Sequence, residues 1–244
     1  MGEVERARAL VEEVNRRAAE LGHAPSMAHP LQAKFFLEFL RGDAAAAQAA
    51  AEALEVLGRE HGMPHWRATA ESFVDWARGR LYDPAAGAAE LEQAAAALGE
   101  RGMRGGGWFS KALQAELEFR TNRLDSALAR IDEALALANQ GEARFDLPWA
   151  HILRGKILLK LDPTHPAPVE NALQTAIAIA KEQGARSWGL RAALSLAKLY
   201  RSTGRPVEAH AVLAPAVEGF SPTREMPEIA EAQTLLAGLA HASG

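Results

Sequence analysis

GARSWGLRAALSLAKLYRSTGRPVEAHAVLAPAVEGF, residues Gly184–Phe220, is the stretch that decides the fold. Apolar residues recur every three or four positions on both sides of a short break, which predicts two amphipathic helices. The break contains Gly204, which tolerates a left-handed backbone, and Pro206, whose fixed φ suits the first turn of a helix. Small residues, among them Ala197 and Ala209, let two helices approach closely. The stretch therefore predicts a tight helical hairpin.

The same hairpin recurs along the chain with a period of about 40 residues. Three kinds of residue mark it, namely a small residue in the second helix, a tryptophan near the start of the first helix, and a turn glycine. The markers are Ala53, Ala94, Ala134, Ala176 and Ala216; Trp66, Trp108, Trp149 and Trp188; and Gly62, Gly102, Gly141 and Gly184. Three markers at one period predict a repeat array, in which each hairpin buries its apolar face against its neighbours.

Proline, glycine and asparagine between the periodic runs predict where each helix begins and ends. The predicted helices are 3–21, 27–41, 44–61, 65–80, 85–100, 107–121, 124–140, 147–161, 167–183, 187–202, 206–219 and 226–241. Helix 3–21 has no hairpin partner, and Val14 lies at the small-residue position of a second helix, so we expect a half repeat there. Helix 226–241 is expected to cap the array. The whole chain, 1–244, is predicted to be one helical-repeat domain.

The hairpin at the end of the chain resembles the tetratricopeptide repeat. The matching residues are Leu196, Ala197, Tyr200, Gly204, Ala209, Leu213 and Ala216. The resemblance implies an all-α fold, a right-handed α-α superhelix of about five to six tetratricopeptide-like helical hairpins with a C-terminal capping helix. Asp75 and Lys34 fall where the pattern requires a small residue. Because burying a lone charge is unfavourable, we expect the register to be imperfect in the first repeats.

Composition narrows the class of function. The 244 residues carry a formal net charge of −4 and contain no cysteine. Bulk charge therefore does not indicate a nucleic-acid-binding surface, and disulfides, thiolate catalysis and zinc–thiolate sites are excluded. The N-terminus lacks an apolar signal core and no run is long enough to span a bilayer. We expect a cytoplasmic protein that binds neither membrane nor nucleic acid directly.

No motif for catalysis, phosphate binding or a metal is present in the sequence. His61 and His65 lie four residues apart, as two ligands on one helical face would, but Gly62 and Pro64 interrupt the helix between them. Turn residues are the simpler interpretation. We therefore expect no catalytic residue, no metal and no cofactor.

A partner-binding groove is predicted on the first helices of the hairpins, which usually line the inner surface of such an array. Its predicted residues are Trp76, Phe109, Phe119, Lys156, Lys160, Arg191, Lys198 and Arg201. Aromatic residues at one end and cations at the other suit an acidic peptide, a protein, or another domain of the same polypeptide. The alternative, a solvated helical face with ordinary Lys and Arg, remains open.

The segment Glu182–Leu239 is similar to the C-terminal end of a family of bacterial multidomain signalling proteins. These carry a class III adenylate cyclase or winged-helix domain, a signalling ATPase and a long tetratricopeptide array. The similarity includes Arg59–Trp66 and extends more weakly over nearly the whole chain; it departs at the Asn122 turn, at Thr164–Pro166 and at Asp75. It implies a regulatory interaction role without cyclase activity, because the family's catalytic motifs lie upstream of this region.

Two functions follow as hypotheses. The first is a non-catalytic module that binds a protein or peptide, as the regulatory part of a signalling ATPase or adenylate-cyclase-like protein. The second is a small-molecule sensor with an apolar-aromatic pocket near Trp76, Phe109 and Phe119. Separately, Leu10, Val14 and Leu21 on the first helix lack cover, which predicts a homodimer through that helix.

Overall fold

The structure, a computed structural model of the chain, describes residues 3–100, 107–140, 146–223 and 226–242. Within these residues the chain is helical apart from turns and one isolated bridge between Thr223 and Met226. The helices are α1 (Glu3–Leu21), α2 (Ala24–Arg41), α3 (Ala44–Glu60), α4 (Pro64–Leu81), α5 (Pro84–Glu100), α6 (Gly107–Arg120), α7 (Leu124–Ala138), α8 (Leu147–Leu161), α9 (Pro166–Gln183), α10 (Arg186–Ser202), α11 (Pro206–Val217) and α12 (Pro227–Ala242). The predicted all-α helical-repeat class is confirmed. The marker glycines Gly102 and Gly141 lie outside the described residues.

The helices fall into two compact units, Met1–Arg123 with α1 to α6 and Leu124–Gly244 with α7 to α12. In each unit every helix packs against the next one in the sequence. In addition α4 contacts α6, and α10 contacts both α8 and α12. Within each unit these contacts place first helices of successive hairpins side by side, α4 with α6 and α8 with α10, as in stacked repeats. The prediction of one domain over 1–244 stays a prediction.

Two positions on the second helix of each hairpin form the core and fix the register of the repeat. At the first position the residues are Ala47, Gly87, Ala127, Val169 and Ala209, and four residues later they are Ala51, Leu91, Ile131, Leu173 and Leu213. All ten are buried. The third core position of α3 is Leu54, which is fully buried, whereas Ala53 is exposed. The predicted marker Ala53 is therefore wrong by one residue.

The tryptophan marker also needs correction. Counted in this register, Trp66 and Trp188 occupy one equivalent position, while Trp108 lies two residues and Trp149 three residues after it. Trp188 is buried, and Trp66 packs edge-on against His29 with 4.8 Å between ring centroids. The rings thus fill gaps at the starts of helices, as expected for structural aromatics, but at differing positions.

An insertion explains the single longer repeat. Successive core positions are 40 residues apart except between Ala127 and Val169, which are 42 apart. The two additional residues fall in the loop between α8 and α9, where Asp162 accepts hydrogen bonds from the backbone N and the hydroxyl of Thr164, at 2.9 and 2.6 Å. This loop is the predicted Thr164–Pro166 insertion, which the side chain of Asp162 holds in a turn.

Turn chemistry places most helix ends where the sequence predicts them. Gly42, Asn122 and Gly204 occupy equivalent positions and all have a left-handed backbone, with φ of 76°, 62° and 75°. Asn is the residue other than Gly that best tolerates this region. The start of α2 is an error of prediction, because the helix begins at Ala24 and not at the predicted residue 27, and so includes Pro25. This proline lies in the first helical turn, where its missing N–H leaves no hydrogen bond unmade.

The two charged residues at small positions have different explanations. Counting 40 residues back from Asp75 leads to Phe35, which is fully buried, so the register at Lys34 was off by one. Asp75 itself does occupy the small position, together with Ala115, Gly155 and Ala197. The expectation of imperfect register is therefore wrong at Asp75.

Asp75 lies half-buried on α4, a position that is unfavourable for a charged carboxylate. Burial, and then the nearby Glu90, raise the pKa of Asp75 to about 6, although Arg78 opposes them. A carboxylate in this position is therefore destabilising when it is ionised.

Replacing Asp75 by Asn is expected to stabilise the protein at pH 7.5 and to have little effect near pH 4. Because the folded-state pKa lies above the unfolded one, ionisation of Asp75 lowers the free energy of unfolding as the pH rises from about 4 to about 6. We expect a gain of about 1 to 2 kcal/mol at pH 7.5, allowing for partial exposure. Urea unfolding at both pH values measures it. The control Glu182→Gln, at an exposed position of the other unit, should change stability by less than about 0.5 kcal/mol, and an equal gain for Asp75→Asn at both pH values would contradict the assignment.

Candidate functional site

Five cations that the sequence predicts as groove residues lie on two adjacent helices of the second unit, and we call this surface the cation face. It consists of Lys156 and Lys160 on α8 and Arg191, Lys198 and Arg201 on α10. Lys156 and Lys198 occupy equivalent positions of successive repeats, and α8 packs beside α10. All five are exposed except Arg191, which is partly buried. The structure thus brings the predicted cations together.

Helix α12 places two carboxylates on this face. Arg191 Nε lies 2.8 Å from Glu228 Oε1, and Lys198 Nζ lies 2.6 Å from Glu231 Oε1. Glu228 and Glu231 are three residues apart and so project from one side of α12. An acidic helical surface therefore already lies against the α10 part of the cation face.

Arg191 is the buried member of the set. Its side chain is 15 % exposed and its guanidinium lies 5.0 Å from the ring centroid of Trp188. Burial lowers the pKa of Arg191, and the charge of Glu228 opposes that shift. The partly buried Arg191–Glu228 pair links α12 to α10. Lys198 and Glu231 are both about half exposed, so their pair contributes little to stability.

The aromatic residues predicted for the groove lie in the first unit, and two of them are core. Trp76 is 1 % and Phe109 7 % exposed. Trp76 packs against Phe39 at 4.9 Å between ring centroids, and Phe109 packs against Phe36 at 5.3 Å. Buried rings present no surface to a partner, so Trp76 and Phe109 are not available to bind one.

Trp76 and Phe109 belong to a cluster of aromatic rings from α2, α4 and α6, and a stacked pair of phenylalanines lies at its centre. The rings of Phe35 and Phe73 lie 3.8 Å apart and within 3° of parallel. Phe73 also contacts Phe109, and Phe35 contacts Trp76, at centroid distances of 6.0 and 5.8 Å. The rings of α2, α4 and α6 fill the space with one another, as in a hydrophobic core. Phe119, at the end of α6, is partly exposed.

Glu116 is the important residue that the sequence analysis missed. Its carboxylate accepts hydrogen bonds from Trp76 Nε1 at 2.9 Å, Arg80 Nη1 at 3.0 Å and Arg120 Nε at 2.6 Å. Glu116 lies 40 residues after Trp76 and 40 before Lys156, so counting the period from either would have found it. Its three donors satisfy a nearly buried carboxylate, and burial correspondingly lowers the pKa of Arg80.

A second surface of the second unit lies on the opposite side of α10. An open groove of about 440 Å³ runs between α9 and α11, with Leu196 and Tyr200 of α10 as its floor. Ile177 and Val212 line it, and the Nε2 of Gln174 donates to the hydroxyl of Tyr200 at 3.2 Å. This groove was not predicted from the sequence. It carries no cluster of cations, which distinguishes it from the cation face.

The histidine pair has no metal-binding geometry in the described part of the chain. His61 and His65 lie on either side of Gly62, which has a left-handed backbone; His61 is in the turn, His65 is in the first turn of α4, and both are exposed. Across residues 3–100, 107–140, 146–223 and 226–242, no group of three or more His, Asp or Glu side chains is placed to hold a metal ion.

Comparison with known proteins identifies the fold. No protein-family model matches the sequence, and no curated protein matches it. The structure is similar to that of yeast Tom70, with a TM-score of 0.63 and 16 % identity over 92 % of this chain and 41 % of the Tom70 chain. It is also similar to BtubC (BKLC) from P. vanneervenii, with a TM-score of 0.60 and 15 % identity over 91 % of this chain and 95 % of that one. This chain has a tetratricopeptide-like helical-repeat fold.

The similarity establishes fold and no more, because both identities are low and the chain spans less than half of the Tom70 structure. Within the described residues, each helix is too short or too polar to traverse a lipid bilayer.

Replacing Glu116 by Ala is expected to destabilise the protein by about 2 to 4 kcal/mol, because it leaves a buried indole N–H and two arginines without their shared acceptor. Glu116→Gln retains an acceptor for Trp76 and should lose about half as much. Urea unfolding followed by tryptophan fluorescence measures both.

The control is Glu133→Ala, in which an exposed carboxylate 3.8 Å from Arg130 is removed. We expect a change below about 0.5 kcal/mol for it. If Glu116→Ala loses no more than this control, the carboxylate does not hold α4 and α6 together.

Proposed function

We propose that the chain is a protein-interaction module that binds an acidic segment of a partner on the cation face. The observation that carries the proposal is that α10 already receives the carboxylates Glu228 and Glu231 from a neighbouring helix. The same face continues on α8, where Lys156 and Lys160 are exposed. A partner that presents carboxylates to α8 would repeat the contact that α12 makes with α10.

Charge and shape both support an elongated acidic ligand. Lys156 and Lys160 lie one helical turn apart, about 6 Å along the α8 axis, and Leu159 between them is 39 % exposed. A helix or extended peptide that carries an acidic residue beside an apolar one would meet both the ammonium groups and the leucine. Such pairs act mainly on association rate and specificity, so binding should weaken with ionic strength.

Photo-crosslinking tests the proposal. A photoreactive amino acid at the position of Leu159 leaves both lysines intact, and in the native cell it should give a discrete adduct with a protein partner. Adding Lys156→Glu and Lys160→Glu to the same chain should reduce the yield about tenfold, because two attractions become repulsions in the contact.

Two controls make the result specific. A crosslinker at the position of Val207, which is 72 % exposed on α11, reports on another surface of the same unit. Lys181→Glu on α9 reverses an exposed charge away from the cation face. An adduct that forms equally at both crosslinker positions, or that Lys181→Glu reduces as much as the α8 changes, would contradict the cation face as the binding site.

We further propose that this module is the regulatory C-terminal part of a bacterial signalling ATPase or adenylate-cyclase-like protein. The sequence resemblance over Glu182–Leu239 supports this proposal. The similar solved structures support the fold alone. The partner on the cation face would then be another protein, or the attached domain itself. The coding sequence immediately upstream should encode an ATPase or cyclase domain, and sequencing it in the source genome checks this; an unrelated upstream gene on the opposite strand would contradict it.

A further inference from the structure

Helix α1 carries an apolar stripe that the first unit leaves uncovered. Leu10 is 57 %, Val14 49 % and Leu21 74 % exposed. The helix packs against α2 along the adjoining flank, where Ala18, four residues after Val14, is buried to 5 % exposure. Exposed large apolar residues at a helical spacing of four and seven form one continuous line along the helix, which is typical of an interaction surface.

The repeat register makes the exposure of this stripe more significant. Ala7, Val11 and Val14 lie 40 residues before Ala47, Ala51 and Leu54, the fully buried core positions of α3. The side chains of α1 at these positions are half-buried or exposed instead. By sequence, α1 has the pattern of a helix packed on both flanks, and in the structure only one flank is packed.

We propose that a second copy of the chain covers this flank, with the two α1 helices antiparallel. Leu10, Val14, Arg17 and Leu21 follow the alternating four- and three-residue spacing of a coiled-coil seam. A parallel pair would place Arg17 against Arg17 of the second copy. In the antiparallel pair Leu10 meets Val14 of the second copy, and Arg17 lies over the small Ala7. Leu21 reaches only the first turn of the other helix, so Leu10 and Val14 form the apolar contact.

The charges beside the stripe select the same arrangement. With Leu10 against Val14, the flanking Arg6 of each copy lies beside Glu20 of the other, which gives two attractive pairs. Sliding the helices by one heptad in one direction would bring Glu13 against Glu20, which is repulsive. Sliding them in the other direction would bring Arg6 against Glu13 but would place Leu10 over the small Ala7, which loses the contact of Leu10 with Val14.

In the structure Glu13 is held by Arg16 and Arg17 of its own helix, which offsets the charge of the central pair of Glu13 residues. Glu20 also pairs with Arg16 of its own helix, so across the seam it would be shared between Arg16 and Arg6 of the second copy.

The association should be weak. The 19-residue helix α1 is about 28 Å long, and the seam offers only two central apolar layers. The surface that two such layers bury is smaller than the roughly 800 Å² per partner of a standard stable interface. We expect a dissociation constant on the order of 10 to 100 µM, so the dimer appears only when the concentration is varied across that range. The proposal does not depend on the cation face, which lies in the other unit.

Sedimentation equilibrium of the whole chain, from about 5 to about 500 µM, tests the proposal with charge-reversed variants. Arg6→Glu alone and Glu20→Arg alone should each raise the dissociation constant about tenfold, because two attractions become repulsions. An equimolar mixture of the two variants should dimerise at least as well as the unchanged chain. In that mixture both pairs between positions 6 and 20 join opposite charges, and the central pair of Glu13 residues is unchanged.

The mixture distinguishes association from a local effect within one helix. Arg6 and Glu20 are 14 residues apart, about 21 Å along α1, so they cannot contact each other within one copy. Glu12→Arg, on the exposed side of α1 away from the stripe, is the matched control and should change the constant less than about twofold. A third variant, Val14→Glu, should abolish the dimer while circular dichroism shows unchanged helix content.

A chain that stays monomeric up to about 500 µM overturns the proposal, and a segment of another polypeptide would then be the natural cover of α1. Failure of the mixture to dimerise better than either variant alone also overturns it. A dimer that persists in Val14→Glu would place the interface elsewhere on the chain and contradict it in the same way.

Discussion

The close approach of two helices within each hairpin is the constraint on which the fold depends. It is very close between α4 and α5, where a Cβ on Gly87 would lie 2.6 Å from the Cα of Gly79 and 2.9 Å from the carbonyl oxygen of Asp75. No side chain fits such a gap, so backbone meets backbone. In the hairpin of α8 and α9, a Cβ on Gly155 would lie 3.2 Å from Leu173. Because this contact sets the rotation of each helix about its axis, it also decides which positions face the core and which face solvent.

Helix boundaries could be predicted closely because short-range chemistry sets them, as the agreement at 147–161 for α8 and the left-handed Asn122 illustrate. The register of α3, in contrast, could not be predicted. Its sequence AAAAQAAAEALEVLGRE has alanine on every side of the helix, so a small residue there carries no information about which face is buried. Only packing against α2 and α4 distinguishes the buried Leu54 from the exposed Ala53. The Pro25 error has a different origin, since proline begins helices as readily as it ends them.

The sequence predicts which helix positions the candidate-site residues occupy, but it does not predict which of these side chains are buried. One repeat position holds Phe36, Trp76, Glu116, Lys156 and Lys198 in succession. In the first unit its residues are core or pair with core residues, because the rings of α2, α4 and α6 pack on one another and Glu116 accepts the indole N–H of Trp76. In the second unit the same position carries lysines that reach solvent. Periodicity shows that these side chains share a helix face, but the size and charge of their neighbours determine whether that face is interior or surface.

The two proposed surfaces have physical consequences for each other even though they lie in different units. Two exposed lysines beside one leucine form a weak site, and a seam of two apolar layers forms a weak dimer. A dimer would carry two cation faces, so a partner with two acidic segments would bind the second one at a raised effective concentration, provided that its linker spans the distance. By linkage, such a partner would also strengthen the dimer, because it binds two associated copies better than two separate ones. Two weak contacts coupled in this way respond steeply to the concentration of the chain, whereas one strong site would stay occupied at all concentrations.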